Sequence, residues 1–250
     1  MRLPELVHWL DDYLRIREIG DDALALNGLQ VENAGQVTRV AVAVDACQAV
    51  FDLAATAKAD LLIVHHGLFW GGLEPLTGRH YRRVATLLRH GIALYGAHIP
   101  LDVHPDVGNN AVLAARLGMP VQGWWGAYKG ELIAVRGELD LPRETLGERI
   151  AGVLGVQPRL LPGGPARIRH MGIVSGAGGS MIAEAKAAGL DTLITGEGKH
   201  HSYFDAEELG VNVFYAGHYA TETVGVQALG ARLAEQHGLP WSFLDHPTGL

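Results

Sequence analysis

Two stretches of this 250-residue chain repeat one another, and the repeat restricts the folds open to it more than any other feature. Gly91-Ile92-Ala93-Leu94-Tyr95-Gly96-Ala97-His98 returns as Gly210-Val211-Asn212-Val213-Phe214-Tyr215-Ala216-Gly217-His218, with one residue inserted. Each histidine is followed four positions later by a carboxylate, Asp102 in the first copy and Glu222 in the second. Upstream, Leu61-Leu62-Ile63-Val64-His65-His66 corresponds to Leu193-Ile194-Thr195-Gly196-Glu197. An apolar run that ends in polar residues reads as a buried parallel strand offering ligands at its carboxyl end. A duplication of this kind predicts two related lobes with a natural cleft at their interface.

Local periodicity agrees with an α/β fold. Leu6, Trp9, Leu10, Tyr13 and Leu14 recur at helical spacing behind Pro4, which predicts a helix over 4–15. Asn27 to Val31 reads as a turn into extended chain, and Val37 to Val44 as a strand ending at Asp45. A helix through Val50, Leu53, Ala54 and Ala57 leads to the strand Leu61 to Val64, completing a βαβ unit with its parallel sheet. A helix through Tyr81 and Leu88, a strand Ile92 to Tyr95, and a helix over 111–117 capped by Asn109 and Asn110 close the first half.

In the second half, strands are expected over 131–139, 168–174, 192–195 and 212–216, with helices over 143–154, 180–188 and 202–209. A long final helix over about 219–237 and an edge strand over 241–244 end the chain. Gly123-Trp124-Trp125-Gly126 reads as a junction and Leu161 to Pro165 as a loop. The expected fold class is therefore α/β, two related lobes with mostly parallel sheets flanked by helices. Residues 1–125 form one lobe and 126–250 the other, with the final helix able to pack back on the first. The glycine-rich turn Gly176 to Ser180 lacks the spacing of a dinucleotide fingerprint and the lysine of a phosphate loop.

Composition removes several classes of function. Hydrophobic residues at 48% and charged residues at 19% describe a globular chain. A net charge of -7 with no run of Lys or Arg argues against a grip on phosphate backbones, so a nucleic-acid partner is not expected. Cys47 is the only cysteine, which leaves no internal disulfide and no thiolate-rich metal site. No stretch is apolar enough to span a bilayer and the first residues lack a signal core, so the expected compartment is the cytoplasm, with no membrane partner.

The polar residues at the expected strand ends form a ligand set: His65, His66, Asp102, His218 and Glu222, with His98, Glu197, His200 and His201 nearby. His218 and Glu222 share one face at the start of the last helix, whereas Pro100 argues against a regular helix from His98 to Asp102. Imidazole and carboxylate without thiolate suit Zn, Fe, Mn, Co or Ni rather than Ca. Five ligands exceed the needs of one catalytic zinc, so two divalent metals bridged by a carboxylate fit better.

Blander roles compete for each residue. A lone histidine at a strand end is more often structural, but an adjacent pair with two His-x-x-x-acid units favours metal. Glu197 serves equally well as a helix cap, and His200 and His201 as solvated loop residues or an acid/base. Trp124 and Trp125 read as packing or oligomer contacts, and His8, His80, His90, His170, His237 and His246 as surface or packing residues.

The chain resembles the dinuclear metal-centre hexameric proteins, a family commonly described as GTP cyclohydrolase 1 type 2 homologues. The resemblance rests on Asn27-Gly28-Leu29-Gln30-Val31, Val64-His65-His66-Gly67, and His98 to Asp102 with His104-Pro105 and Gly108-Asn109-Asn110-Ala111. It continues in Thr195-Gly196-Glu197 and in Gly217-His218-Tyr219-Ala220-Thr221-Glu222. These segments span nearly the whole chain, in the short form that lacks an inserted middle domain. The resemblance implies a two-lobed protomer, two metals (Zn, Fe or Mn) on His65, His66, Asp102, His218 and Glu222, and a toroidal homohexamer. It also implies hydrolytic opening of a purine ring, hence a nucleotide-like small-molecule substrate. His201 matches a histidine common after the Thr-Gly-acid motif. The expected activity is metal-dependent hydrolysis, with His201, or alternatively His98, moving the proton and Glu197 orienting a neighbour. The rival is a ring that stores, delivers or senses metal without turnover.

Overall fold

A computed structural model describes residues 1–250. In chain order the elements begin α1 (Leu3–Tyr13), β1 (Gly28–Val31), β2 (Val40–Asp45), α2 (Gln48–Thr56), β3 (Leu61–His66), α3 (Gly78–His90) and β4 (Ala93–Gly96). There follow α4 (Ile99–Asp102), α5 (Asn109–Leu117), β5 (Val121–Tyr128), β6 (Glu131–Pro142), α6 (Arg143–Leu154), β7 (Arg159–Pro162) and β8 (Arg167–Val174). The chain ends with α7 (Ile182–Ala187), β9 (Thr192–Thr195), α8 (Ser202–Leu209), β10 (Asn212–Tyr215), α9 (His218–His237) and β11 (Trp241–Phe243). No helix is long and apolar enough to cross a membrane.

The chain divides into two compact units, Met1–Val107 with Gly225–His246, and Gly108–Val224 with Pro247–Leu250. The division falls at Val107 and Gly108 rather than at the expected 125 and 126. The reason is that α5 buries Leu113, Ala114 and Leu117 in one core with Val135, Ile150 and Ile173 of the second unit.

The first unit holds a five-stranded sheet in the order β1-β4-β3-β2-β11, parallel except for antiparallel β1. Both faces are covered, which accounts for the unbroken apolar runs of β2 and β3. On one face Val42, Ile63 and Tyr95 pack against Leu6 and Leu10 of α1 and Leu229 and Leu233 of α9. On the other, Ala43, Leu62 and Leu94 meet Phe51 and Ala54 of α2 and Leu87 of α3.

The second unit holds a six-stranded sheet in the order β5-β6-β8-β9-β10-β7. Only β8-β9-β10 is parallel, so this sheet is mixed, where a mostly parallel one was expected. Part of the difference is a hairpin, β5 to β6, turned by Lys129 and Gly130, both with positive φ, as a two-residue hairpin turn requires. Trp124 and Trp125, read as a junction, lie within β5, and the Trp125 indole N–H donates to the Val135 carbonyl at 2.9 Å.

The two units share a chain order, α-β-β-α-β-α-β, in α1 to β4 and again in α6 to β10. They also share a spatial order, β1-β4-β3-β2 and β7-β10-β9-β8, each with its first strand antiparallel at the edge. One residue recurs in the same job. The Asp60 carboxylate accepts the backbone N–H groups of Thr38 (2.6 Å) and Arg39 (3.0 Å), and its carbonyl accepts that of Ala93. Asp191 accepts those of Arg169 and His170, both at 2.9 Å, while its carbonyl accepts that of Asn212. Each aspartate thus ties together the starts of three parallel strands.

Three local expectations change. Ile99–Asp102 is one helical turn despite Pro100, because a proline in the first turn removes an N–H that has no helical partner anyway. Arg159–Pro162 pairs with β10 as strand β7 where a loop was expected from Leu161. Asn109 and Asn110 lie inside α5 and do not cap it. Asn110 instead donates to the Ile133 carbonyl at 2.7 Å and accepts the Ser175 N–H at 2.7 Å.

Removing either aspartate would take the acceptor from two strand-start N–H groups at exposed positions. Asp60→Ala and Asp191→Ala should each lower stability by about 0.5–1.5 kcal/mol in denaturant unfolding. A loss below about 0.5 kcal/mol, the range of ordinary surface changes, would deny the aspartates this role.

Candidate metal centre

The first unit gathers three imidazoles at the carboxyl ends of β3 and β4, with one ring nitrogen each of His65, His66 and His98 within 4.8 Å of the others. Their orientations come from the sheet. His65 Nδ1 donates to the Ala97 carbonyl at 2.9 Å, just past the last pair of the parallel β3-β4 ladder, Val64 with Gly96. His66 pairs in register with Asp45 on β2, and its Nδ1 donates to Asp45 Oδ1 at 2.8 Å. His98 Nδ1 donates to Asp21 Oδ1 at 2.9 Å. In all three rings Nδ1 is held by a carbonyl or a carboxylate. Asp102 is buried, with Oδ2 at 3.6 Å from His65 Nε2.

Residues quoted in the sequence motifs without a role turn out to hold this arrangement. Asn27 accepts the His98 backbone N–H at 2.8 Å and donates to Asp21 Oδ2 at 2.7 Å. Burial raises the Asp21 carboxyl, but the hydrogen bond and charge of His98, with donors from Asn27 and Asp22, outweigh it and hold the group below its ordinary value. Gln30 bonds the carbonyls of Ala25 and Leu26 and accepts the Leu68 N–H at 2.8 Å. A Cβ at Gly67 or Gly96 would fall 2.1 or 2.7 Å from the Gln30 amide nitrogen, so both glycines make room for that carboxamide. Trp70 stands edge-on to His98, 4.9 Å between centroids. His104 is structural: Nε2 meets the Tyr13 carbonyl at 3.1 Å, Nδ1 accepts from Asp106 and Val107, and burial pushes the ring toward its neutral form.

The second unit carries its own set on the first turn of α9. His218 Nδ1 donates to Glu197 Oε1 at 2.8 Å, and His218 Nε2 lies 3.2 Å from Glu222 Oε1, one turn along. The hydrogen bond to Glu222 raises the His218 pKa, burial opposes it, and the charges of Glu222 and Glu197 carry it up to about 9. The pair therefore favours positive charge at this point. Two glycines let it form. A Cβ at Gly176 would lie 2.3 Å from Glu222 Oε1, and one at Gly196 would lie 2.6 Å from His218 Cα. The turn from Gly176, which matched no phosphate-binding pattern, is a wall of this site, and the Thr221 hydroxyl accepts the Gly176 N–H at 3.0 Å.

His201 and His200 are not placed against these ligands. Both are exposed at the start of α8; His201 lines a hollow with Glu197, and His200 stands edge-on to Phe204. Asp45, Asp21 and Asn27 are the contributors that sequence reasoning missed. The signal for Asp45 was available, because it ends the strand that neighbours the His65-His66 strand.

The donor set fits a divalent metal. Four imidazoles have Nδ1 held by a carbonyl or carboxylate, the arrangement that fixes tautomer and aim in metal-binding histidines. Buried carboxylates, Asp102 and Glu222, stand beside His65 and His218. Imidazole and carboxylate together suit first-row metals.

Comparisons with known proteins agree. The model of the Duf34/NIF3 (NGG1p interacting factor 3) family matches residues 1–248. A protein of Deinococcus radiodurans named GTP cyclohydrolase 1 type 2 homolog is 46% identical over 98% of this chain and 94% of its own length. A Halobacterium salinarum protein of the same name is 44% identical over the full length of both. The crystal structure of a Thermus thermophilus protein superposes with a TM-score of 0.91 at 44% identity, covering all of both chains.

Asp45 touches the site only through His66. Asp45→Ala should weaken metal binding by about 10- to 100-fold while leaving the circular dichroism spectrum unchanged. Unchanged affinity in a metal titration would detach Asp45 from the site.

Proposed function

The chain belongs to the Duf34/NIF3 family, and on that premise we propose that it is a metal-dependent hydrolase. Its dinuclear centre would use His65, His66 and Asp102 with His218 and Glu222, in a toroidal homohexamer. The observation that carries the reading is the common support of His65, His66, His98 and His218, each with Nδ1 held by a carbonyl or a carboxylate. Three imidazoles and two carboxylates exceed the needs of one catalytic metal, which is the reason for proposing the five as the ligands of two.

Zn, Fe or Mn bound there would supply Lewis acidity, polarising an electrophile and acidifying water. The protein's own residues do the rest. Asp45 and Glu197 keep His66 and His218 in one tautomer and one direction. His98 is the better placed of the two proton-transfer candidates, because Asp21 orients its ring within the imidazole cluster, in the manner of a base held by a carboxylate. His201 is the second choice, beside Glu197. The relatives' name offers a nucleotide-like substrate first.

A metal-delivery role is the second reading. It is favoured by the partial exposure of His66, His98 and His218, at 22%, 19% and 26% of the side chain, which would let a cation exchange directly with solvent or a carrier.

Two variants test the proposal on metal-loaded protein, with elemental analysis and turnover measured together. His65→Ala should lose both metal and activity. His98→Gln should keep its metal and lose about 10²- to 10⁴-fold in kcat, the usual worth of general acid–base catalysis. Metal lost from His98→Gln would make that residue a ligand. Activity kept by a metal-free His65→Ala would sink the hydrolase reading. If nucleotides, cyclic amides and phosphoesters all go unhydrolysed while metal passes rapidly to a chelating acceptor, the delivery role stands instead.

A further inference from the structure

Beside Glu197, the second unit has a feature that the metal chemistry does not use. Two hollows flank the short segment Gly198-Lys199. One, of about 360 Å³, is lined by Arg159, Lys199, His200, Tyr203 and Tyr215 among others. The other, of about 390 Å³, is lined by Ser180, Glu197, Lys199 and His201 with the backbone of Gly179 and Gly198. We infer that this segment is the floor of an oxyanion subsite for a phosphorylated small molecule, with Arg159 and Lys199 as its cations.

Charge is the first ground. Neither Arg159 nor Lys199 has an ion pair or a side-chain hydrogen bond, although the whole chain carries a net charge of -7. The two cations line one hollow together with one imidazole, His200, and two tyrosines, Tyr203 and Tyr215, a donor-rich lining. No carboxylate lines that hollow; Glu197 lines the second one, where it is engaged by His218. An arginine fork with a lysine point charge matches the three oxygens of a phosphate better than the two of a carboxylate.

Rigidity is the second ground. The buried Ser202 hydroxyl bonds the Lys199 carbonyl and lies 2.5 Å from the Tyr215 hydroxyl, so the backbone under Lys199 is anchored from below. A Cβ on Gly198 would lie 2.2 Å from the Tyr215 oxygen, and one on Gly179 would lie 2.4 Å from the Gly198 Cα. The Gly179 N–H donates to the Glu197 carbonyl at 3.0 Å. The segment is therefore packed into a bed that admits only glycine at those points. Such a floor is organised before any ligand arrives, which reduces the entropy cost of binding.

Location is the third ground, and here the inference rests on the proposed metal centre. Lys199 lines both hollows, and in the second its neighbour Glu197 directly holds His218. A molecule whose phosphate is seated on Arg159 and Lys199 would reach that pair by extending past Lys199 into the second hollow. The subsite would then supply binding energy from a part of the substrate that does not react, the usual means of positioning a reacting group.

The test titrates the full-length, chelator-treated protein with inorganic pyrophosphate by calorimetry, at two ionic strengths. Chelation removes the metal as a competing landing place for the anion. Saturable, salt-sensitive binding at one site per chain is expected. Lys199→Gln and Arg159→Gln should each weaken it about tenfold, and Lys199→Arg should largely restore it. His66→Ala should bind pyrophosphate as the unaltered chain does, so a failed metal centre would leave this result intact. No binding to the unaltered protein, or equal binding by both charge variants, would overturn the subsite. Loss in His66→Ala with none in Lys199→Gln would overturn it too, by moving the anion onto the imidazoles.

Discussion

Because β3 pairs in parallel with both β2 and β4, these three strands end at one edge of the first sheet, and the imidazole cluster depends on that shared edge. The pairing puts Asp45 level with His66, so the carboxylate meets the ring from the neighbouring strand. It also brings the carbonyl of Ala97 up to His65 and sets His98 two residues beyond β4. The strands are buried on both faces by helices, so a slip of one residue would exchange the two apolar sets and misfit both packed layers. Core packing is thus what holds the ring nitrogens in place. The ligand side chains themselves contribute little to that register.

The second unit repeats the framework and reverses the use made of it. Asp60 and Asp191 clamp equivalent strand starts, and the antiparallel edge strands β1 and β7 take the same place. At the opposite strand ends the residues have diverged. The first unit sets histidines on its middle strand and holds one by a carboxylate from the strand before. The second sets Glu197 just past its middle strand and uses it to hold His218, at the end of the strand after. Gly176 and Gly196 take the space that side chains would need, which brings the turn of α9 close to the strand ends. The same scaffold therefore supplies imidazole donors from both copies by different substitutions.

Much of this was legible in sequence. The strands with continuous apolar runs and the long amphipathic helices announce themselves by local pattern, and so does the His218 and Glu222 pair, because a four-residue spacing on a helix fixes its own geometry. Elements defined by a partner did not announce themselves. Arg159–Pro162 becomes a strand only because β10 offers it an edge, and Trp124 and Trp125 enter β5 through pairing with β6. Asn110 looked like a cap by position, yet its amide is spent on Ile133 and Ser175.

By itself the sequence determined the α/β class, the internal repeat and the residue types available for metal, since each depends on periodicity or on chemistry carried by single side chains. Only the tertiary structure decided how those side chains are aimed. The partners that fix Nδ1 of His66, His65 and His98 stand 21, 32 and 77 positions away, respectively. Contacts over such separations leave no local periodicity to read. They arise from strand register and loop closure, which the packed core selects as a whole.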